Sequence, residues 1–210
     1  MDTLLIRLIA PLQSWGVQSL YDDRDSAREP SKSGVIGLLC AALGRPRWQD
    51  VADLAALGMG VRVDREGTLR MDYQTARVPD KSVVSRRAYL SDAAFLVGLE
   101  GELPLLNELQ QALVHPHWVL YLGRKAFPPA EPIWLPDGLR VGEDLRTALT
   151  GYPRLTPPER GGDLRLRFVF EDHRNGETAV ADVPISFADR RFQVRRLRTE
   201  FIDVPAGAGG

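Results

Sequence analysis

The stretch Pro30-Ser31-Lys32-Ser33-Gly34-Val35-Ile36-Gly37-Leu38-Leu39-Cys40-Ala41-Ala42-Leu43-Gly44 constrains the fold more than any other part of the chain. Val35, Ile36, Leu38, Leu39, Ala42 and Leu43 recur at helical spacing, over a face wide enough to bury most of the surface. Ser31 or Ser33 can cap the start, because a hydroxyl accepts from an otherwise unpaired amide of the first turn. Gly44 stands where a left-handed residue would end the helix, and Pro46 forbids its resumption. Gly34 and Gly37 each cost roughly 1 kcal/mol of helix propensity against alanine. Two readings of that cost are open. Glycines on the first turn, with Lys32 beside them, let a phosphate approach the free amides. Equally, they allow a neighbouring element to pack closely on the helix.

A chain of 210 residues is one large domain or two small ones. The formal net charge is −1, so any affinity for a polyanion has to come from the distribution of charge rather than its sum. The single cysteine, Cys40, excludes an internal disulfide, and its apolar helical setting reads as an inert core thiol suited to a reducing cytoplasm. Neither an export signal nor a membrane-spanning run is legible: Asp2 and Arg7 spoil the N-terminal apolar stretch, and residues 34–44 are too few to cross a bilayer. The three histidines and one cysteine are too scattered for metal-ligand spacing, so no metal or cofactor is expected.

In chain order, residues 4–10 read as a buried strand. A turn through Pro11-Leu12-Gln13-Ser14-Trp15-Gly16 follows, in which Trp15 reads as a packed lid or, less simply, a stacking platform. After a polar loop and the helix, residues 48–57 show a second helical pattern. Residues 58–64 and 68–73 then read as two strands of a hairpin turning at Glu66-Gly67. Residues 74–87 have no clear period and carry Arg77, Lys81, Arg86 and Arg87 around Pro79. That is a solvated loop, or a finger that touches a polyanion. Residues 93–99 form an apolar strand, Pro104 opens a helix running to Val114, and residues 118–122 read as a further strand ending in Gly123-Arg124-Lys125. This order approximates β-α-β-β-α-β.

Beyond Pro132 the pattern predicts a short helix over 142–149, a Pro/Gly-rich connector over 151–162, and strands at 164–170 and 178–185 joined by an Asn175-Gly176 hairpin turn. Residues 190–198 hold five arginines in nine, either a solvated strand paired with local acids or a phosphate track or docking face. The Ala/Gly tail at 206–210 is expected to be disordered.

Five segments in register resemble the fifth Cas family of the RAMP superfamily, the CasD-type subunits of type I-E CRISPR surveillance complexes called Cascade. They are Arg7-Leu8 through Pro11-Leu12-Gln13-Ser14-Trp15-Gly16; Pro30-Ser31-Lys32-Ser33-Gly34 with Gly37-Leu38-Leu39 and Gly44; Asp72-Tyr73-Gln74-Thr75; Tyr89-Leu90-Ser91-Asp92-Ala93; and Tyr121-Leu122-Gly123-Arg124-Lys125. The resemblance covers about the first 130 residues. It implies an α+β fold: a ferredoxin-like (RRM-like) RNA-binding core over 1–130, a hairpin or loop thumb at about 74–88, and a smaller β-rich section over 131–210 packed on it.

It further implies a non-catalytic cytoplasmic subunit that holds the repeat-derived 5′ handle of the crRNA and caps the backbone filament. Its expected partners are the backbone subunit (CasC) and the large subunit (CasA), with target DNA touched only indirectly and no membrane involved. The residues expected to meet RNA are Lys32, Ser33 and Gly34 at the helix start; Tyr73, Gln74 and Thr75 at the thumb base; Arg77, Lys81, Arg86 and Arg87 along the thumb; and Tyr121, Arg124 and Lys125 closing the pocket. Two other functions remain open. One is a metal-independent endoribonuclease cutting CRISPR repeats, which needs a base, an acid and a cation around the 2′-hydroxyl. The other is a free-standing single-stranded RNA-binding domain.

Overall fold

The helix predicted at the centre of the sequence forms as α1 (Lys32–Leu43) in the computed structural model, which describes residues 1–16, 23–78, 81–157 and 165–204. Ser31, not Ser33, is the cap, its hydroxyl accepting the Gly34 N–H at 3.3 Å. Gly44 ends the helix at φ 74°, and the next amide, Arg45 N–H, donates back to Cys40 O at 2.8 Å. Val35, Ile36, Leu38, Leu39, Cys40 and Ala42 are all buried, so α1 is enclosed on most sides. Burial pushes the Cys40 thiol up to about 11, as befits a core cysteine.

α1 lies on an antiparallel sheet. Its first four strands are β1 (Asp2–Ile9), β4 (Gly58–Arg65), β7 (Ala94–Gly101) and β8 (Trp134–Arg140), in the order β8-β1-β7-β4. α1 and α2 (Ala52–Ala55) connect β1 to β4, and α3 (Leu103–Val114) follows β7. Beyond β4 the same sheet continues through β9 (Arg165–Glu171) and β11 (Arg191–Asp203) to β10 (Thr178–Ser186), giving seven strands. Residues after 130 therefore extend the sheet edge to edge. The boundary expected there falls before β8, which pairs with β1.

Side-chain alternation sends Ile6, Leu8, Val61, Val63, Phe95 and Val97 into one core with α1 and α3. Leu5, Leu96, Phe168 and Phe170 face the opposite way, against α4 (Leu145–Gly151). A second sheet holds β2 (Leu12–Gln13), β3 (Asp23–Arg24), β5 (Thr68–Val78) and β6 (Lys81–Ser91). Among the described residues no helix is long and apolar enough to cross a membrane. The overall class is mixed α and β, with one large antiparallel sheet and few helices.

Several local expectations change, each for a physical reason. β4 and β5 turn at Gly67 but do not pair, because both edges of β4 are taken by β7 and β9. β5 instead pairs with β6 along its whole length, so the stretch read as aperiodic is a hairpin of two 11-residue strands. The helix expected over 48–57 is reduced to one turn, begun where the Asp50 carboxylate accepts the Ala52 N–H. Residues 118–122 do not form a strand: the His117 and Trp118 amides satisfy the Ala42 and Ala41 carbonyls at the end of α1. The strand on that edge is β8. Asn175-Gly176 does turn the chain, yet β9 and β10 are separated by β11, which pairs with both. α4 starts later than expected, at Asp144, whose carboxylate caps the Thr147 N–H at 2.7 Å. The tail at 206–210, and most of the expected 151–162 connector's second half, lie outside the described residues.

The second face of the sheet depends on one buried cation. Arg62, on β4, is fully buried beside Asp64. Its Nε and Nη2 donate to the two Asp64 oxygens at 2.7 and 3.0 Å. Nη1 donates to the carbonyls of Leu149 and Tyr152, and Nη2 also to that of Pro153. All five guanidinium N–H groups are thereby used, and the end of α4 is capped from the sheet. Gly60 and Gly98 leave the room that Leu145 and Leu149 of α4 occupy. Replacing Arg62 by Ala strands Asp64 and three carbonyls; we expect a loss of about 3–5 kcal/mol in urea unfolding. A loss below about 1 kcal/mol, the scale of an exposed ion pair, would contradict this assignment.

Candidate nucleic-acid interface

The start of α1, the Gly123-Arg124 turn and the tip between β10 and β11 meet around a pocket of about 310 Å3. Its walls include Trp15, Ser31, Ser33, Gly34, Arg124, Phe187 and Phe192. The Trp15 and Arg124 walls are set by residues close to them in sequence. Gln13 is buried and donates its amide to the carbonyls of Leu8 and Ala93, at the ends of β1 and β7. Its side-chain oxygen accepts the Trp15 indole N–H at 3.1 Å. Trp15, 1% exposed, then lies against Gly34, where a Cβ would come within 2.9 Å of its ring. Trp15 is thus the packed lid, and Gly34 is required by close packing, the plainer of its two readings. Gly123 has φ +89° and passes so close beneath the Ser14 carbonyl that no side chain fits. That crossing presents Arg124 to the pocket.

Arg124 also reaches the hairpin. Its Nη1 donates to the Tyr89 hydroxyl at 3.1 Å, and the guanidinium lies 4.6 Å from the centre of that ring. The Tyr89 hydroxyl donates to Asp72 Oδ2 at 3.2 Å, and Gln74 Nε2 donates to the same oxygen at 2.9 Å. Phe127 packs edge-on against Tyr89 at 5.0 Å. An amide, a hydroxyl and a guanidinium are therefore held in a row on one face of β5–β6, continuous with the pocket. Arg87 belongs to this face, donating to Ser85 Oγ at 3.3 Å.

The hairpin register divides the remaining candidates. Tyr73, Thr75, Arg77 and Arg86 are on the opposite face, together with Leu69, Met71 and Val84. Tyr73 is 64% exposed, with the Arg86 guanidinium 5.8 Å from its ring centre. Tyr121 and Lys125 are exposed on either side of the Gly123-Arg124 turn. Lys81 begins β6, paired with Val78 at the hairpin tip, and its side chain lies outside what is described. The sequence reading did not select Tyr89, Asp72, Phe187 or Phe192. A strand-length run on each side of Pro79-Asp80 is the signal that marks the hairpin and hence Tyr89. Nothing local marks the two phenylalanines, which arrive through sheet topology.

Lys32 requires correction. It is 3% exposed, and its ammonium donates to Leu57 O at 2.7 Å and pairs with Glu171 at 3.0 Å. The anion at the start of α1 is internal: the Lys32 N–H donates to Asp182 Oδ2 at 2.7 Å. Arg195 completes the cluster, gripping both Asp182 oxygens at 2.6 and 2.8 Å and Glu171 at 2.8 Å. Burial opposes the Arg195 charge, but the Asp182 and Glu171 carboxylates outweigh it and hold its pKa above the ordinary guanidinium value. Arg198 faces Glu200 and Asp172, so much of the arginine-rich stretch pairs with local acids. We expect Lys32→Ala to cost about 3 kcal/mol in urea unfolding while leaving RNA bound per folded molecule unchanged. Unaltered stability with lost RNA binding would restore Lys32 to the interface.

The family model described as CRISPR-associated protein (Cas_Cas5) matches residues 3–198. CRISPR system Cascade subunit CasD of Escherichia coli (strain K12) is 31% identical over 219 residues, spanning 91% of this chain and 94% of that protein. A solved structure described as "Crystal structure of Cas protein" is 50% identical, with a TM-score of 0.85 over 99% of this chain and 100% of the other. A chain of a "CRISPR RNA-guided surveillance complex" is 32% identical, with a TM-score of 0.79 over 97% of this chain and 91% of its own. With a family model spanning nearly the whole sequence and a curated relative above 30% identity, the chain belongs to the CRISPR-associated Cas5 family.

Proposed function

We propose that this chain is the CasD-type subunit of an RNA-guided CRISPR surveillance complex. Within that complex, the α1 pocket and the polar face of the β5–β6 hairpin hold the repeat-derived 5′ handle of the crRNA. The strand order β8-β1-β7-β4, with α1 and α3 on one face, supports reading these elements as a ferredoxin-like (RAMP) core, and β5–β6 as its thumb. The observation that carries the RNA reading is Arg124, which lines the pocket and at the same time engages Tyr89 on the hairpin. A splayed single strand needs a cation for its phosphate and aromatic and amide groups for its bases. Arg124, Phe192 and Gln74 offer those groups along one path, with Ser33 and the Gly34 backbone beside them and Lys125 and Tyr121 at the margin.

The opposite hairpin face, with Leu69, Met71, Tyr73 and Val84 exposed, suits packing against the backbone subunit (CasC). Arg77 and Arg86 add charge along that side, and the large subunit (CasA) docks nearby. Target DNA is then read by the guide's own base pairing. The role is that of a clamp working in the cytoplasm, without a cutting step. Histidine suits both proton transfers of RNA cleavage best, and the described residues that line the pocket include none. His117 instead packs against Gly44 and Trp118.

The test is to co-express the chain with its partner subunits and a CRISPR array and to quantify the guide that co-purifies. Arg124→Ala should retain the fold and lower guide retention at least about tenfold, the scale of one charged hydrogen bond. The guide recovered with the unaltered chain should begin in repeat-derived sequence. Undiminished retention by Arg124→Ala would contradict the proposal.

A further inference from the structure

A second concavity is an open cleft of about 850 Å3, and it shares no lining residue with the α1 pocket. It is bounded by the end of β4, the first residue of β5, the last of β6, the segment after α4, the start of β9, and Phe201 of β11. Four arginines line it: Arg65, Arg154, Arg165 and Arg167. Arg167 is matched internally, by a two-pronged contact with Glu66 and a bond to Glu29. Arg154 differs. Its Nε and Nη1 are buried and have no hydrogen-bond partner among the described residues.

A guanidinium cannot lose its proton, so two desolvated N–H groups without acceptors are costly. Two of the three acids that line the cleft, Asp64 and Glu66, are committed elsewhere. Asp64 receives Arg62 and the Leu155 N–H, and Glu66 receives Arg167. Arg154 also lines the cleft, so a turn of its side chain brings these groups to an acceptor on a ligand. On the same cleft Phe201 is 58% exposed. Cations beside an exposed aromatic face, with the Thr68 and Ser91 hydroxyls nearby, are what a single nucleic-acid strand requires.

We propose that this cleft is a second nucleic-acid contact, separate from the handle pocket. In it Arg154 takes a phosphodiester oxygen and Phe201 stacks on the adjoining base. The strand can be RNA or displaced DNA, since both carry the same phosphate and stacking chemistry.

The test uses the full chain with fluorescein-labelled oligouridylate and oligothymidylate that contain no repeat sequence, followed by fluorescence anisotropy at low salt. Phe201→Ala should weaken binding about tenfold, within the range measured for base–aromatic stacking. Phe201→Trp should restore it, and both variants should melt with the unaltered chain. The Phe201→Ala loss should persist in the Arg124→Ala background, which separates this cleft from the handle pocket whatever the outcome there. Arg154→Gln should weaken binding and flatten the salt dependence by about one phosphate's share. The preferred oligonucleotide identifies the strand as RNA or DNA.

The proposal is overturned if Phe201→Ala binds as tightly as the unaltered chain, or if neither oligonucleotide binds at about 100 μM, the weak limit of non-specific affinity. Arg154→Gln that lowers stability but not binding would place the acceptor within the chain and remove Arg154 from the contact.

Discussion

The buried cluster of Lys32, Asp182, Arg195 and Glu171 joins the two ends of the sequence. Asp182 accepts the first amide of α1 and both prongs of Arg195, and Glu171 bridges Arg195 to the Lys32 ammonium. Two cations and two anions are removed from water together, each with its partners in place. Removing any one member leaves an uncompensated charge, so the cluster acts as a geometric lock more than as a source of net stability. Its effect is positional. It fixes β9, β10 and β11 against the start of α1 and brings the β10–β11 tip, with Phe187 and Phe192, over the pocket. The contact of Asp182 with the first amide of α1, which survives loss of the Lys32 side chain, therefore sets the far wall of the pocket from beneath its surface.

The same economy explains why glycine and tryptophan accompany this site. Trp15 fills the space that a side chain at position 34 would need, and Gln13 holds Trp15 while closing the ends of β1 and β7. Gly123 passes under the Ser14 carbonyl and presents Arg124 on the far side. None of these residues needs to touch RNA for the pocket to exist. The motifs shared with the family are in large part the scaffold of the site, with Arg124 as the group that faces outward and couples it to the Tyr89-Asp72-Gln74 row.

Local patterns were read well wherever the physics is local. The α1 boundaries follow from a serine cap at 31 or 33, Gly44 and the apolar spacing; β1 and β7 follow from apolar runs, α3 from helical spacing after Pro104, and β9 from alternation. Pairing was not legible. Glu66-Gly67 and Asn175-Gly176 are sound turn signals, yet the strands they join are parted because β4 and β9 each have both edges filled by other strands. Lys32 follows the same rule: a lysine at a helix start looks like a phosphate ligand until an aspartate 150 residues away takes its amide. The arginine-rich stretch likewise resolves once its acidic partners are seen across the sheet. Ser33, Gly34 and Arg124 do converge, whereas the thumb residues split between two faces by register alone.

The central claim is that the α1 pocket holds the guide handle in the assembled complex. The most direct measurement is photo-crosslinking of a purified complex whose crRNA carries 4-thiouridine at single handle positions, with the linked peptides identified by mass spectrometry. The account predicts crosslinks from repeat-derived nucleotides to the segment around Gly123-Arg124-Lys125 and to the Phe187 and Phe192 turn. Handle nucleotides that crosslink only to other subunits, or only to the outer face carrying Tyr73 and Arg86, would contradict it.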